Sequence, residues 1–240
     1  MCGIIGFKNA DSIGDKKLAL SHLYLRGPDF NGEYEDRENN IWLGHTRLAI
    51  QDLSTYANQP LSLLEDKNIV ITFNGEIYNA LFIKNILMKS GYKFKTKSDT
   101  EILLQSYRFW GLELFSHIEG MFAFAIWDKN KKTLLLARDP IGQKPLYYYV
   151  SNKNELYFAS NLKALLAILP FKPQISRKAL AYTLSLGYIP NSESLYDGIK
   201  SLKQGHYLVF SDYALKERQY WSVNDITYDF KSIDSQQEEF

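Results

Sequence analysis

The sequence predicts an α+β fold built on antiparallel sheets that helices cover from outside. Three observations lead there. Residues 121–128 read as a strand with apolar side chains on both faces: Phe122, Phe124 and Ile126 on one, Met121, Ala123, Ala125 and Trp127 on the other. Such a strand has to be covered on both sides, because a half-exposed strand alternates apolar with polar residues. Residues 121–128 and 133–139 flank a turn at 129–132, and residues 146–150 and 155–159 flank another at 151–154, so hairpins follow one another along the chain. Helical patterns interspersed among these strands supply the outer layers.

The remaining elements follow from local pattern. Residues 2–7 read as a short strand, and a helix-like segment with Leu18, Leu20, Leu23 and Leu25 runs to the turn at Gly27-Pro28. Residues 41–50 and 68–73, rich in Ile, Val, Thr and Trp, read as strands. Asn79 is placed to cap a helix that reaches Ser90 and stops at Gly91. Ser98-Asp99-Thr100-Glu101 has the form of a capping box ahead of Ile102, Leu103 and Tyr107. Residues 161–169 form a short helix ended by Pro170 and Pro173, Ser176 caps another to about Leu186, and residues 205–210 make a last strand. From Asp225 the chain turns polar, so residues 223–240 read as a linker and residues 1–222 as one domain.

Composition bounds the function. The 240 residues are 45% apolar and 15% aromatic, enough to fill a globular core. Lys and Arg number 28 against 27 Asp and Glu, a net charge of +1. That balance argues against a nucleic-acid partner held by phosphates and against binding to anionic lipid. A single cysteine, Cys2, excludes an internal disulfide scaffold and a cysteine-based zinc cluster. The start is apolar to Phe7 but runs into Lys8, Asn9 and Asp11, unlike a secretory leader. The longest apolar run, residues 121–127, is far short of the ~20 residues that cross a bilayer. The sequence thus predicts a cytoplasmic location and no membrane partner. The four histidines show no metal-ligand spacing, and no glycine-rich phosphate loop is visible.

Four segments carry residues suited to chemistry. The small side chain of Cys2 allows Met1 to be removed, which would join a thiol nucleophile and a free α-amine base in one residue. Position alone favours a small buried residue opening a strand. Asn74-Gly75-Glu76-Ile77-Tyr78-Asn79 follows an apolar strand, and an Asn-Gly pair there can aim a side-chain amide and a backbone N–H at one oxyanion; it can also be a simple turn. Arg47, within the strand-like residues 41–50, is either a bidentate clamp for a carboxylate or a surface arginine lying along apolar side chains. Asp99 can accept a substrate ammonium or can serve only the helix dipole.

Taken together, these segments resemble the glutaminase domain of asparagine synthetases, class II glutamine amidotransferases of the N-terminal-nucleophile hydrolase group. The resemblance rests on Met1-Cys2-Gly3-Ile4-Ile5-Gly6, Arg26-Gly27-Pro28-Asp29, His45-Thr46-Arg47-Leu48-Ala49-Ile50, residues 74–79, Ser98-Asp99-Thr100-Glu101, residues 120–128 and residues 137–147, in that order over roughly residues 1–222. Any one segment is weak and the seven together are specific. Two features depart from the pattern. Ala159-Ser160 is usually followed by Glu, whereas this chain has Asn161, and no Ser-Gly-Gly-x-Asp-Ser pyrophosphate motif is present.

The resemblance implies a four-layer αββα sandwich of two antiparallel sheets. It implies that Cys2 attacks the side-chain amide of L-glutamine to form a thioester, with Asn74 and the N–H of Gly75 as oxyanion hole. Arg47 would hold the α-carboxylate, Glu76 and Asp99 the α-ammonium, and the backbone of Leu48, Ala49, Ile50 and Gln51 would line the pocket. It implies no cofactor in this chain, ATP and Mg being expected only in a synthetase domain, in the same or another chain, that would amidate an adenylated carboxylate such as aspartate. A homodimer is compatible with it. The rival expectations are a domain that feeds a different acceptor, a non-catalytic module of the same fold, and an N-terminal-nucleophile peptidase or acylase.

Overall fold

The strand that is apolar on both faces lies inside a sheet and between two packed layers. The structure, a computed structural model, describes residues 1–63, 65–190, 193–212 and 214–225. Its strands are β1 (Gly3–Lys8), β2 (Phe30–Asp36), β3 (Ile41–Arg47), β4 (Leu61–Ser62), β5 (Ile69–Ile77), β6 (Gly120–Asp128), β7 (Thr133–Arg138), β8 (Tyr147–Val150), β9 (Leu156–Ala159), β10 (Ile199–Ser201), β11 (His206–Phe210) and β12 (Leu215–Gln219). Its helices are α1 (Lys16–Ser21), α2 (Ala80–Lys89), α3 (Asp99–Trp110), α4 (Leu162–Ile168) and α5 (Arg177–Leu186). One sheet runs β10-β8-β9-β1-β3-β2 and the other β12-β11-β7-β6-β5-β4. The strand pairings in both are antiparallel.

Three apolar cores order the layers. On β6, Ala123, Ala125 and Trp127 face Ile4, Leu43 and Phe158 of the other sheet. Phe122, Phe124 and Ile126 face the opposite way, against Ile83 and Leu87 of α2 and Leu103 of α3. The first sheet repeats the arrangement, its Ile5, Phe7 and Trp42 packing on Leu20 of α1 and Leu165 of α4. The layers therefore run helices, sheet, sheet, helices, the four-layer sandwich that the resemblance implied. Burial on both faces is why β6 and β1 carry apolar side chains at nearly every position.

Several local expectations shift. Residues 41–50 were expected to stay extended, but β3 ends at Arg47, so residues 48–51 are free to line a pocket. Asn74-Gly75 forms no turn: β5 runs on to Ile77 because β6 pairs with it throughout, Asn74 opposite Ala123 and Gly75 opposite Phe122. Only half of the capping box forms. Ser98 Oγ accepts from the Glu101 N–H, while the Glu101 carboxylate turns to the N–H groups of Lys95 and Thr96. Asn79 precedes α2, but its side chain binds the His117 carbonyl and the Glu119 N–H instead of a helix N–H. Leu23 and Leu25 fall outside α1, in and beside a 3-10 turn at Tyr24–Arg26.

Four edge strands escape the sequence reading: β2 (FNGEYED) and β12 (LKERQ) are polar with little apolar alternation to mark them, and β4 and β10 are only two and three residues long. Hence β11 is not the last strand. Asn161, one of the two departures from the resemblance, caps α4 by accepting from the Ala164 N–H at 2.8 Å and donates to the His22 carbonyl at 3.1 Å. Of the polar stretch read as a linker, residues 226–240 lie outside the described residues. Among the described residues, no helix is long and apolar enough to cross a membrane.

Phe124 is fully buried and stacks on Phe115 and against Phe122. Phe124→Ala removes a ring from the contact between the second sheet and its helices, and should cost about 3–5 kcal/mol of unfolding free energy in urea denaturation. A loss below about 1 kcal/mol would contradict this packing.

Candidate active site

The two sheets bring the ends of their central strands together. Cys2 precedes β1, which is held on both sides by β3 and β9, so its position is set by the first residues of a buried strand. Gly3 is required at the next position, since a Cβ there would lie 2.6 Å from Thr46 Oγ1 and 2.9 Å from the Leu23 Cβ. This close packing sets Cys2 beside the end of β3. Its Sγ lies 3.5 Å from the Leu48 N–H and 3.8 Å from the Leu48 carbonyl. Arg26 Nε donates to the Cys2 carbonyl at 3.1 Å, and Arg26 Nη2 is buried with no partner among the described residues.

Around Cys2 lies a pocket of about 150 Å³, faced by Arg47, Leu48, Ile50, Gln51, Asn74, Gly75, Glu76 and Asp99, with Met1 at its margin. An engineered cavity of that volume accepts a benzene-sized molecule, so the scale is that of one small metabolite. Nine of the ten residues singled out from the sequence thus share one site. Ala49 does not face it; its N–H donates instead to Asp29 Oδ2 at 2.8 Å. Asp29 therefore holds the pocket loop from behind, while Arg26 of the same Arg-Gly-Pro-Asp segment holds Cys2.

Asn74 is 1% exposed, and its Nδ2 is buried without a hydrogen-bond partner. An unsatisfied buried donor costs about 1–3 kcal/mol, so a partner is expected to arrive with a ligand. Gly75 is required next to it because a Cβ would lie 2.2 Å from the Met121 carbonyl and 2.7 Å from the Phe122 Cα. The N–H groups of Phe73 and Ile77 leave β5 on the edge away from β6, the first to Gln59 Oε1 at 2.6 Å and the second to Asp99 Oδ2 at 2.8 Å. Strand alternation puts the N–H of Gly75, midway between them, on the same edge. It has no side-chain or loop partner among the described residues.

Arg47 is held by the loop that follows it. Nη1 donates to the Ser54 carbonyl at 2.9 Å and to Asn58 Oδ1 at 2.6 Å, and Nη2 donates to the Asp52 carbonyl. Of its five N–H groups, Nε–H and one on Nη2 remain without partners among the described residues. Asp99 is the first residue of α3, and its Oδ2 also accepts from Gln51 Nε2 at 3.4 Å. Burial raises its carboxyl pKa, and the nearby Glu76 charge adds to that. Burial also pushes the Cys2 thiol up, against the lowering effects of the Leu48 N–H, the chain's N-terminal charge, Arg47 and Arg26.

His45, two residues before Arg47, is no base for this thiol. Its ring is fully buried and its Nε2 lies 3.3 Å from the Phe73 carbonyl. Burial, with a smaller push from Arg47, lowers its pKa to about 3, so it stays neutral. Gln59 and Lys144 also face the pocket, and the sequence reading did not single them out as site residues. Lys144 was visible only inside a matched segment, whose role is now plain. Asp139 accepts the N–H groups of Phe122, Ile141, Gly142, Gln143 and Lys144, which docks that loop onto β6.

The four-layer sandwich with its pocket at the start of the central strand has the build of the N-terminal-nucleophile amidotransferases. Comparison with known proteins makes the assignment specific: the family described as "Glutamine amidotransferase domain" matches residues 1–221, and this chain belongs to it. It is 35% identical to asparagine synthetase [glutamine-hydrolyzing] 1 of Bacillus subtilis, over 99% of this chain and 37% of that protein. It is also 35% identical to a putative asparagine synthetase [glutamine-hydrolyzing] 2 of Methanocaldococcus jannaschii, over 97% of this chain and 49% of that one. The chain thus spans between about a third and a half of the length of these relatives. Among solved structures, glutamine phosphoribosylpyrophosphate amidotransferase of B. subtilis shares the fold, with a TM-score of 0.65 at 20% identity, covering 92% of this chain and 49% of that one.

With Met1 in place, desolvation is the leading influence on the thiol. Alkylation of Cys2 by iodoacetamide should therefore be slower at pH 8 than that of a free cysteine. Its rate should keep rising through and above the ordinary midpoint of about 8.5. A midpoint at or below that value would show that Arg26 and Arg47 outweigh burial.

Proposed function

We propose that this domain hydrolyses L-glutamine to glutamate and ammonia through a thioester on Cys2. The observation that carries the reading is the buried, unpartnered Asn74 Nδ2 in the same pocket as the Cys2 thiol. It is a donor waiting beside a nucleophile, which is what a tetrahedral oxyanion requires.

Removal of Met1 gives Cys2 a free α-amine. The thiol proton passes to that amine as Sγ bonds to the γ-carbonyl carbon, and the C–O π electrons move onto oxygen. Asn74 Nδ2 and the Gly75 N–H, one on the side chain and one on the open edge of β5, receive that oxygen. Collapse of the intermediate breaks the C–N bond, the amine returns the proton, and ammonia leaves. Water then attacks the thioester, releasing glutamate and the thiol. The free Nε–H and Nη2–H of Arg47 suit the α-carboxylate, and Asp99 with Glu76 suits the α-ammonium, whose charge relieves the repulsion between the two carboxylates. A reducing, cytoplasmic setting keeps Cys2 a thiol.

Ammonia would pass to a synthetase domain in the same or another chain, where ATP would activate the carboxylate that receives it. Several relatives are named asparagine synthetases, which favours aspartate as that acceptor. A relative named amidase chry2, of Gibberella zeae and 33% identical over 93% of this chain and 34% of that one, favours a second reading, in which the same glutaminase feeds another acceptor.

Two substitutions separate the roles. Asn74→Ala should lower kcat for ammonia release by roughly 10²–10³, the loss of one oxyanion donor, without lowering thermal stability. Arg47→Ala should mainly raise KM for glutamine. Unchanged kcat in the first, or an effect confined to kcat in the second, would overturn these assignments.

A further inference from the structure

The backbone N–H and C=O of Phe73, just before Asn74, are held by side chains where a strand would ordinarily hold them. β4 pairs with β5 only through Leu61 opposite Ile71 and Ser62 opposite Val70. The ladder stops there, at Leu61, two residues short of the position that would face Phe73. At Phe73 the Gln59 side chain takes over. Its Oε1 accepts the Phe73 N–H at 2.6 Å, and its Nε2 donates to Thr100 Oγ1 at 3.0 Å, next to Asp99. The Phe73 carbonyl lies 3.3 Å from His45 Nε2, on β3 of the facing sheet. A carbonyl only accepts, so Nε2 is the protonated nitrogen, and Nδ1 is left buried without a donor among the described residues. An apolar side chain of that size would avoid the unpaired Nδ1. What the imidazole adds is its bond to Phe73.

We infer that His45 and Gln59 are positioning residues for the oxyanion hole: together they clamp the C=O and N–H of Phe73, and so fix where Asn74 and Gly75 point. Neither acts on the reacting atoms. Both ends of the Gln59 amide are occupied, and the His45 ring lies behind the strand. Gln59 also ties the Phe73 N–H to the start of α3, so the oxyanion end and the Asp99 end of the pocket are held in one frame. The inference rests on the glutaminase reading above.

The test compares the unmodified chain with His45→Phe and Gln59→Met, which keep bulk and remove the hydrogen bonds. Glutaminase kinetics are measured beside binding of glutamate and of glutamate γ-semialdehyde. The aldehyde mimics the intermediate: Sγ bonds to its carbonyl carbon, the π bond breaks, and the thiol proton ends on the oxygen in the hole. A displaced hole should lower kcat by about 10–100-fold, with KM for glutamine within about threefold. It should weaken aldehyde binding in parallel and leave glutamate binding unchanged. Equal weakening of glutamate and aldehyde, or a raised KM at unchanged kcat, would overturn the clamp. If His45→Phe gives no cooperative melt, Gln59→Met decides by the same criterion. Failure of the unmodified chain to release ammonia would instead remove the glutaminase reading, and the clamp's function with it.

Discussion

The site depends on β5 keeping one edge paired while leaving the other open. β6 binds it along its whole length, through Asn74 and Gly75 to Ile77. Only Gly75 permits that closeness, because any Cβ would meet the Met121 carbonyl. On the opposite edge, β4 stops after two residues, and from there side chains meet the backbone: Gln59 and His45 at Phe73, Asp99 at Ile77. The Gly75 N–H between them is left for a ligand. A longer β4 would close the pocket, and a shorter β6 would let the two donors drift.

Two unfavourable terms are built into this arrangement. Asn74 Nδ2 is buried without a partner, and the Cys2 thiol is buried enough to raise its pKa despite two nearby arginines. Such groups cost stability in the empty protein and gain their partners when a substrate carbonyl and a proton acceptor are present. The surrounding packing, three continuous apolar cores around two sheets, supplies the stability that lets the pocket carry them.

How much of this was legible in the sequence depended on which interactions carry it. Residues 121–128 announced a doubly covered strand because the apolar pattern is local. Cys2, Arg47, Asn74 and Asp99 were each ambiguous alone, and only their joint order, through the family resemblance, gathered them; the pocket puts them together. Ala49 does not line the pocket; its N–H is taken by Asp29, a long-range contact in the loop that follows β3. The edge strands β2 and β12 had little apolar alternation, and β4 and β10 were too short to carry a pattern. The parts played by Gln59, His45 and Asp29 were hidden because each works through a contact 14 to 28 residues away in the chain. The Glu101 carboxylate was misread for the reverse reason, a local motif diverted to the neighbouring Lys95 and Thr96 N–H groups.

The central claim is that Cys2 is the nucleophile of a glutamine-specific pocket. Its most direct test is labelling with an electrophilic glutamine analogue, with the adduct located by mass spectrometry. One adduct is expected, on the Sγ of a Cys2 that has lost Met1, suppressed by excess glutamine and absent in Cys2→Ala. An adduct elsewhere, or labelling that glutamine does not suppress, would contradict it.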